Sequence, residues 1–576
     1  MMQGGSVGGS AVGAAAPAQR LRAVCRGVSG WRHKLAAMLL GVASVLAMAP
    51  FFLWPVLLVT LPCLVWLIDE RLLVAAPAEG AKPTNKWHTF LQRRSIRAAV
   101  TAWWFGFGYH LAGLFWIGEA FLVEAEKFAM LMPFAVTLMP AGLALFWGAA
   151  AAAVAPVWRP GVARVVALAI ALAVAEWLRG HILSGFPWNV LGYALTYPLA
   201  LMQSASLIGI YGLALLALIA LPLPLIILTE AKMGTGAARP WVKATLPLSP
   251  LLVLAVFGLL RLRAAEPAPN QSLTIRIVQP SVPQREKWRP ENQEKIFLQH
   301  IDLSLRDGRG TEDGARGIKL IVWPEAAMPF LPLHSPVALA AIGGMLPEGT
   351  HLASGALRMV EKADRTGRDV FNSLLVFGQG GRLTASYDKI HLVPFGEYLP
   401  LQTTLEAIGL EQLSRLRGGF SAGPRPRPLL AIPGLPKLGP LICYEAIFPA
   451  TLVQGAERPA ALINVTNDGW FGNTTGPRQH LHQARVRAVE EGLPILRAAN
   501  NGISAIIDAK GRILASAGMN VIASIDGTIP AALSPPPYAQ LGDWAFAILL
   551  AFAGVLWGWL RQRGENGKHA APRKPD

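Results

Sequence analysis

In the second half of this 576-residue chain, a glutamate, a lysine and a cysteine each stand directly after a strand-like run. Glu325 follows "LIVWP", Lys389 follows "TASYD" and Cys443 follows "GPLI". A rigid sheet aims the side chains of such strand-end turns into a cleft, so these positions suit chemistry. A thiol is a nucleophile only as its thiolate, and with a free pKa of about 8.5 a cysteine needs a base or a nearby cation. Taken singly, each residue has an ordinary reading: Cys443 as a small core residue, Glu325 as a strand-end carboxylate, and Lys389 as a surface lysine paired with Asp388.

The elements that must position these residues change the odds. With 53% hydrophobic residues, 15% charged residues and a mean hydropathy of +0.40, the chain reads as a membrane protein. Its net charge of +17 comes from short basic clusters between apolar runs, the pattern of topology signals, so no nucleic-acid partner is expected. Residues 1–34 are rich in small residues and then basic, and are expected to form a disordered arm. Apolar runs near the roughly 20 residues needed to cross a bilayer follow at 35–50, 51–68, 99–123, 128–157, 161–183, 200–230, 241–263 and 541–560, eight in all. The first is read as a retained helix, although "VLAMAP" would also suit a leader cleavage site.

Lysine and arginine mark the cytoplasmic side of short connections. Arg20, Arg22, Arg26, Arg32 and Lys34 precede the first span, and Arg71, Lys82, Lys86, Arg93, Arg94 and Arg97 follow the second. Arg159 and Arg164 follow the fourth, Lys232, Arg239 and Lys243 follow the sixth, and the tail 561–576 is basic. The expectation is seven membrane helices over 35–264, an extracytoplasmic domain over 265–538 and an eighth helix over 541–560, with both termini cytoplasmic. Cys25 then lies on the cytoplasmic side and Cys63 in the second span, which leaves Cys443 without a disulfide partner outside. An unpaired thiol there points to chemistry.

Within 265–538, strand-like runs such as "LTIRIVQP", "HLASGAL", "NSLLVFG", "ALINVTN" and "GISAIID" alternate with helical stretches, which suggests one layered α/β domain. His480 and His482, at i and i+2 of the helical "RQHLHQARVRAVEE", point apart, and no metal or cofactor is expected. His110 and Glu119 lie in or at the end of the third span, where ionisable groups are costly and often functional; Tyr109, Trp116 and Glu119 would equally suit an interfacial rim.

Taken together, "VWPEAAMP", "YDKIHLVPFGEYLP", "GPLICYEAIFP", "LINVTNDGWFG" and "QARVRAVEEGLPILRAANNGISAIID" resemble, in order, the blocks of the carbon–nitrogen hydrolase (nitrilase) superfamily. The spans on both sides, with "WWFGFGYHLAGLFWIGEA" and "EWLRGHILSGFPWN", are similar to its apolipoprotein N-acyltransferase branch. Asn473 and Leu493 depart from residues common in that family, an acidic residue and an arginine respectively.

The resemblance implies an eight-helix membrane protein carrying an αββα nitrilase-like domain, in which Glu325 takes the thiol proton, Lys389 stabilises the oxyanion and Cys443 attacks the acyl carbonyl. It implies that Tyr444 supplies a backbone N–H, that Glu397 and Glu445 stand beside the base, and that Trp288 lies near the site. The implied reaction moves a fatty acyl chain from a phospholipid, typically phosphatidylethanolamine, through a cysteine thioester to the α-amine of a diacylglyceryl apolipoprotein, at the bacterial inner membrane and in a monomer. Loop segments such as "FPWNVLGY" and "AMPFLPL" are expected to line the lipid doorway. The competing expectation is a membrane-tethered amidase or nitrilase that uses the same three residues with water as acceptor.

Overall fold

Alternate residues of the central strands face two different cores, and that period of two builds the layers of the extramembrane domain. The strands are β1 (Thr274–Gln279), β2 (Leu320–Trp323), β3 (His351–Glu361), β4 (Arg368–Phe377), β5 (Leu383–Asp388), β6 (Leu438–Ile442), β7 (Ala461–Thr466), β8 (Ile495–Ala499), β9 (Ser504–Ile507), β10 (Ile513–Ala517) and β11 (Ala523–Thr528). They form a six-stranded sheet in the order β11-β1-β2-β3-β4-β5 and a five-stranded sheet in the order β10-β9-β8-β7-β6. Leu320 and Val322 of β2 pack with Leu374 and Val376 against Ile442, Ile463, Val465 and Leu496 of the other sheet, closing the core between them. Ile321 and Trp323 point the other way, onto Phe297, Ala338 and Ile342 of the helices Gln293–Leu305 and Pro336–Met345. On the far side, Leu441, Leu462 and Ile495 meet Leu481, Ala484 and Ala488 of the helix Gly476–Glu491. The result is an αββα sandwich, in which each buried leucine or isoleucine contributes about 1.5–3 kcal/mol.

The computed structural model describes residues 9–73, 86–230, 240–268, 273–308, 310–362, 367–407, 409, 411–414 and 419–569. Lys82, Lys232, Arg239, Arg573 and Lys574, counted above as topology signals, lie outside them. Every expected apolar run carries helix, including Gly30–Ser44, Leu57–Leu73, Lys86–Leu114, Met132–Val154, Ala163–His181, Ala205–Ala220, Ser249–Arg263 and Trp544–His569. Among the described residues, four helical stretches, 125–157, 205–230, 242–263 and 544–563, are long and apolar enough to cross a membrane. Leu252, Val253, Val256, Leu259 and Leu260 on one of them, and Phe552, Val555 and Trp559 on another, are exposed large apolar side chains, the kind of surface that a lipid environment covers.

Two expectations change here. The arm read as disordered is helical over Gly9–Gly27, because its small residues are largely alanine, the strongest helix former; Arg22 donates to the Thr229 carbonyl at 2.9 Å. Arg164, counted as a loop charge, is buried: its Nε and Nη2 donate to Asp69 at 2.9 Å each, and Nη2 also reaches Glu230 at 2.6 Å. A charged residue between two apolar runs is indistinguishable in sequence from a solvated one until its partner, 95 positions away, is seen.

Candidate active site

Strand direction explains why the three distant residues meet. β2 runs parallel to β3, and β5 returns to that direction through two antiparallel steps, so both carry their C-terminal turns to one end of the sheet. Glu325 and Lys389 begin those turns. The turn after β2 is tight: Ala326 has φ +46°, and a Cβ on Gly355 of β3 would stand 2.5 Å from the Cα of Glu325, so only glycine lets the two backbones approach this closely.

At that end Lys389 Nζ donates to Glu397 Oε1 at 2.9 Å and to Glu325 Oε1 at 3.4 Å. Asn372 Nδ2 bridges the same two oxygens at 2.9 and 2.8 Å, and Val393 N donates to Glu397 Oε2 at 2.8 Å. Burial works against the charged form of Lys389, but Glu397 and then Glu325 outweigh it and hold the ammonium well above the ordinary lysine range. Cys443 follows β6 with φ +50°, a strained value for a non-glycine residue, and opens a short helical turn over Cys443–Ile447. Burial pushes its thiol up, Glu325 adds to that, and Lys389 opposes it. A thiol, a carboxylate and an ammonium group therefore act on one another in a single buried pocket, the set that nucleophilic acyl chemistry requires.

The carbon–nitrogen hydrolase family matches residues 274–533, and the apolipoprotein N-acyltransferase N-terminal domain matches residues 40–221. The apolipoprotein N-acyltransferase of Rhodopseudomonas palustris is 43% identical over 529 residues, 92% of this chain and 95% of that protein. That of Brucella suis biovar 1 is 42% identical over 537 residues, 92% of this chain and 96% of that protein. This chain belongs to the apolipoprotein N-acyltransferase family.

The two parts that define the family meet directly at the pocket. Tyr444 Oη donates to the Gly185 carbonyl at 2.8 Å, and His391 Nε2 lies 2.7 Å from that of Ser184. Phe186, Trp188 and Trp116 from the helical part pack with Tyr444, Phe448 and Phe471. Trp116 and Trp188 both donate their indole N–H to Gln479 Oε1, and Glu119 lies against Gly472, so Trp116 and Glu119 stand at the interface with the α/β domain, whereas Tyr109 donates to the Asn189 carbonyl within the helical part at 2.8 Å. The segment "AMPFLPL" does not face that interface: Ala327 and Met328 are buried beneath the six-stranded sheet, with Phe330 and Leu333 packed on them, because the turn at Ala326 redirects the chain into the outer core.

Glu397 joins Glu325 and Lys389, whereas Glu445 does not. Its Oε1 accepts from Tyr387 Oη, the N–H groups of Ile390 and His391, and Arg427 Nη2, and its Oε2 accepts from Ile442 N at 2.8 Å. Burial disfavours this carboxylate, yet Arg427 and Tyr387 hold it below the ordinary range. Glu445 ties the loop after Lys389 to the strand before Cys443. Trp288 is 42% exposed, while its neighbour Lys287, which sequence reasoning passed over, is buried with Nζ 3.0 Å from the Glu325 carbonyl oxygen. His480 and His482 do point apart: His482 Nε2 meets Thr196 Oγ1 at 2.6 Å, and His480 reaches Asp468 and the backbone of Cys443. A lysine before a tryptophan, or a histidine inside a polar helix, carries no signal of its destination in one sequence.

Proposed function

We propose that this chain moves a fatty acyl chain from a phospholipid to the N-terminal α-amine of a diacylglyceryl-cysteine apolipoprotein, by two transfers through Cys443. Glu325 takes the thiol proton and the thiolate attacks the ester carbonyl. Lys389 and the Tyr444 N–H face the oxyanion; loss of one such donor costs roughly 2.7–4 kcal/mol. Collapse breaks the ester bond, the departing lysophospholipid alkoxide takes the proton from Glu325, and the acyl chain stays on Cys443 as a thioester. The α-amine, with a pKa of about 8 and hence far more neutral at pH 7 than a lysine side chain, then attacks the thioester; Glu325 receives its proton and the thiol is restored. The kinetics are ping-pong.

The observation that carries this reading is the contact between the buried thiol, carboxylate and ammonium pocket and the loop of Ser184 and Gly185 from the apolar helical part. Withdrawing a sixteen-carbon chain from a bilayer costs on the order of 12 kcal/mol at about 0.8 kcal/mol per CH₂, so a donor is best presented sideways, at the membrane surface. In this reading phosphatidylethanolamine is the donor and the protein is a monomer. The helices form eight spans of the cell inner membrane over 35–264 and 541–560, both termini are cytoplasmic, and the domain over 265–538 faces the periplasm.

The test incubates the purified protein with phospholipid labelled in its acyl chain, then adds a diacylglyceryl peptide. A hydroxylamine-sensitive adduct on Cys443 that passes to the peptide supports the reading. An adduct that survives Cys443→Ser, or labelled free acid with no acylated peptide, sinks it.

A further inference from the structure

Lys287 closes the short helix Gln284–Lys287 after β1 and is 2% exposed. An ammonium group has three N–H donors, but among the described residues Nζ has one hydrogen-bond acceptor, the Glu325 carbonyl oxygen at 3.0 Å. That carbonyl precedes Ala326, whose φ of +46° makes the turn. The charge of Lys287 also acts on the Glu325 carboxylate and on Cys443. Glu325 and Glu397 bring two negative charges to the pocket and Lys389 one positive charge, while Asp468, which also acts on Cys443, is matched by Arg497 at 2.8 Å; without Lys287 the cluster therefore carries a net charge of −1 beside a thiol that must ionise. A net negative pocket holds the proton on sulfur.

We propose that Lys287 is a positioning residue of the acyl-transfer centre: through the Glu325 carbonyl it holds the turn that aims the carboxylate, and its charge balances the second carboxylate so that Cys443 ionises. This rests on Cys443 being the nucleophile. Burial pushes the Lys287 ammonium down to about 8 while Glu325 and Cys443 pull it back, so the group is predominantly charged at neutral pH. It differs from Lys389 in having, among the described residues, no carboxylate within hydrogen-bonding distance, while Glu325 and Cys443 both act on its charge.

The experiment is the rate of iodoacetamide alkylation of Cys443 at pH 7, where Lys287 is charged, in the full-length protein in detergent, read by mass spectrometry of its peptide. Lys287→Met slows alkylation by about 10- to 100-fold, the effect on the thiolate fraction of removing one nearby charge. Lys287→Gln, which keeps a donor for the Glu325 carbonyl and so protects the fold, slows it to a similar extent; Lys287→Arg leaves it within about two-fold. A neutral variant with the wild-type rate, or an arginine variant slowed as far as the neutral ones, overturns the proposal. The readout needs no lipid. A wild-type protein that forms no acyl adduct while the neutral variants are still slowed removes the acyl-transfer reading and leaves the charge coupling in place.

Discussion

His480 Nε2 lies 3.2 Å from the carbonyl oxygen of Cys443. A carbonyl can only accept, so Nε2 carries the proton. Nδ1 sits between Asp468 Oδ1 at 2.8 Å and Arg497 Nη2 at 3.1 Å, which fixes the ring. The contact restrains the one residue of β6 and its turn with a left-handed backbone, Cys443 at φ +50°. His480→Ala frees that peptide, and a misplaced nucleophile slows thioester formation about 100-fold. Single-turnover acylation by labelled phospholipid measures it. A variant that forms the adduct at the wild-type rate refutes the role.

Glu397 sets the field at Lys389. Glu397→Gln keeps the shape and removes one negative charge, so the thiolate of Cys443 becomes easier to form and its alkylation midpoint falls by about one pH unit. Acylation nevertheless slows by at least about 10-fold, because Lys389 loses the carboxylate that holds it at 2.9 Å. The two readouts move in opposite directions only if the pocket couples charge and geometry as described.

Buried histidines make the protein acid-sensitive. Burial holds His300 down to about 4 and His482 down to about 3, against an ordinary value of 6.5. Below pH 6.5 the unfolded chain binds protons that the folded protein refuses, so stability falls with pH from 6.5 toward those values, by about 1.4 kcal/mol per pH unit for each group. Thermal unfolding in detergent therefore shows Tm dropping between pH 6.5 and 4.5. His482→Gln, which keeps a polar group beside Thr196, flattens the slope; an unchanged slope contradicts the assignment.

Asp69 accepts from Arg164 and from the Trp158 indole N–H at 2.9 Å, with no exposed surface. Asp69→Asn leaves the buried guanidinium with Glu230, at 2.6 Å, as its remaining carboxylate and costs about 1.5–3 kcal/mol, the worth of a charged hydrogen bond. Loss of monodisperse protein and a lower Tm in detergent report it.

The sequence by itself determined the order of parts and the positions of β1 to β7 and β9, with three residues that stand at strand ends; β8, β10, β11 and Lys287 were not read from it. Hydrophobic period and length mark β2, β5 and β6, and Glu325, Lys389 and Cys443 stand at their ends in the structure as they do in the chain. Glu397 came from the resemblance together with Glu445, and of the two only Glu397 hydrogen-bonds to Lys389, at 2.9 Å. Only the tertiary structure decided which buried polar groups face one another. Glu445, two residues from Cys443, turns away from the pocket to Arg427 and Tyr387; Lys287, far from it in sequence, turns in. Trp116 meets Gln479 across 363 positions. The reason is physical: periodicity is a property of one segment, whereas a buried charge or N–H takes whichever partner the packing of separate segments delivers, and no local pattern encodes that meeting.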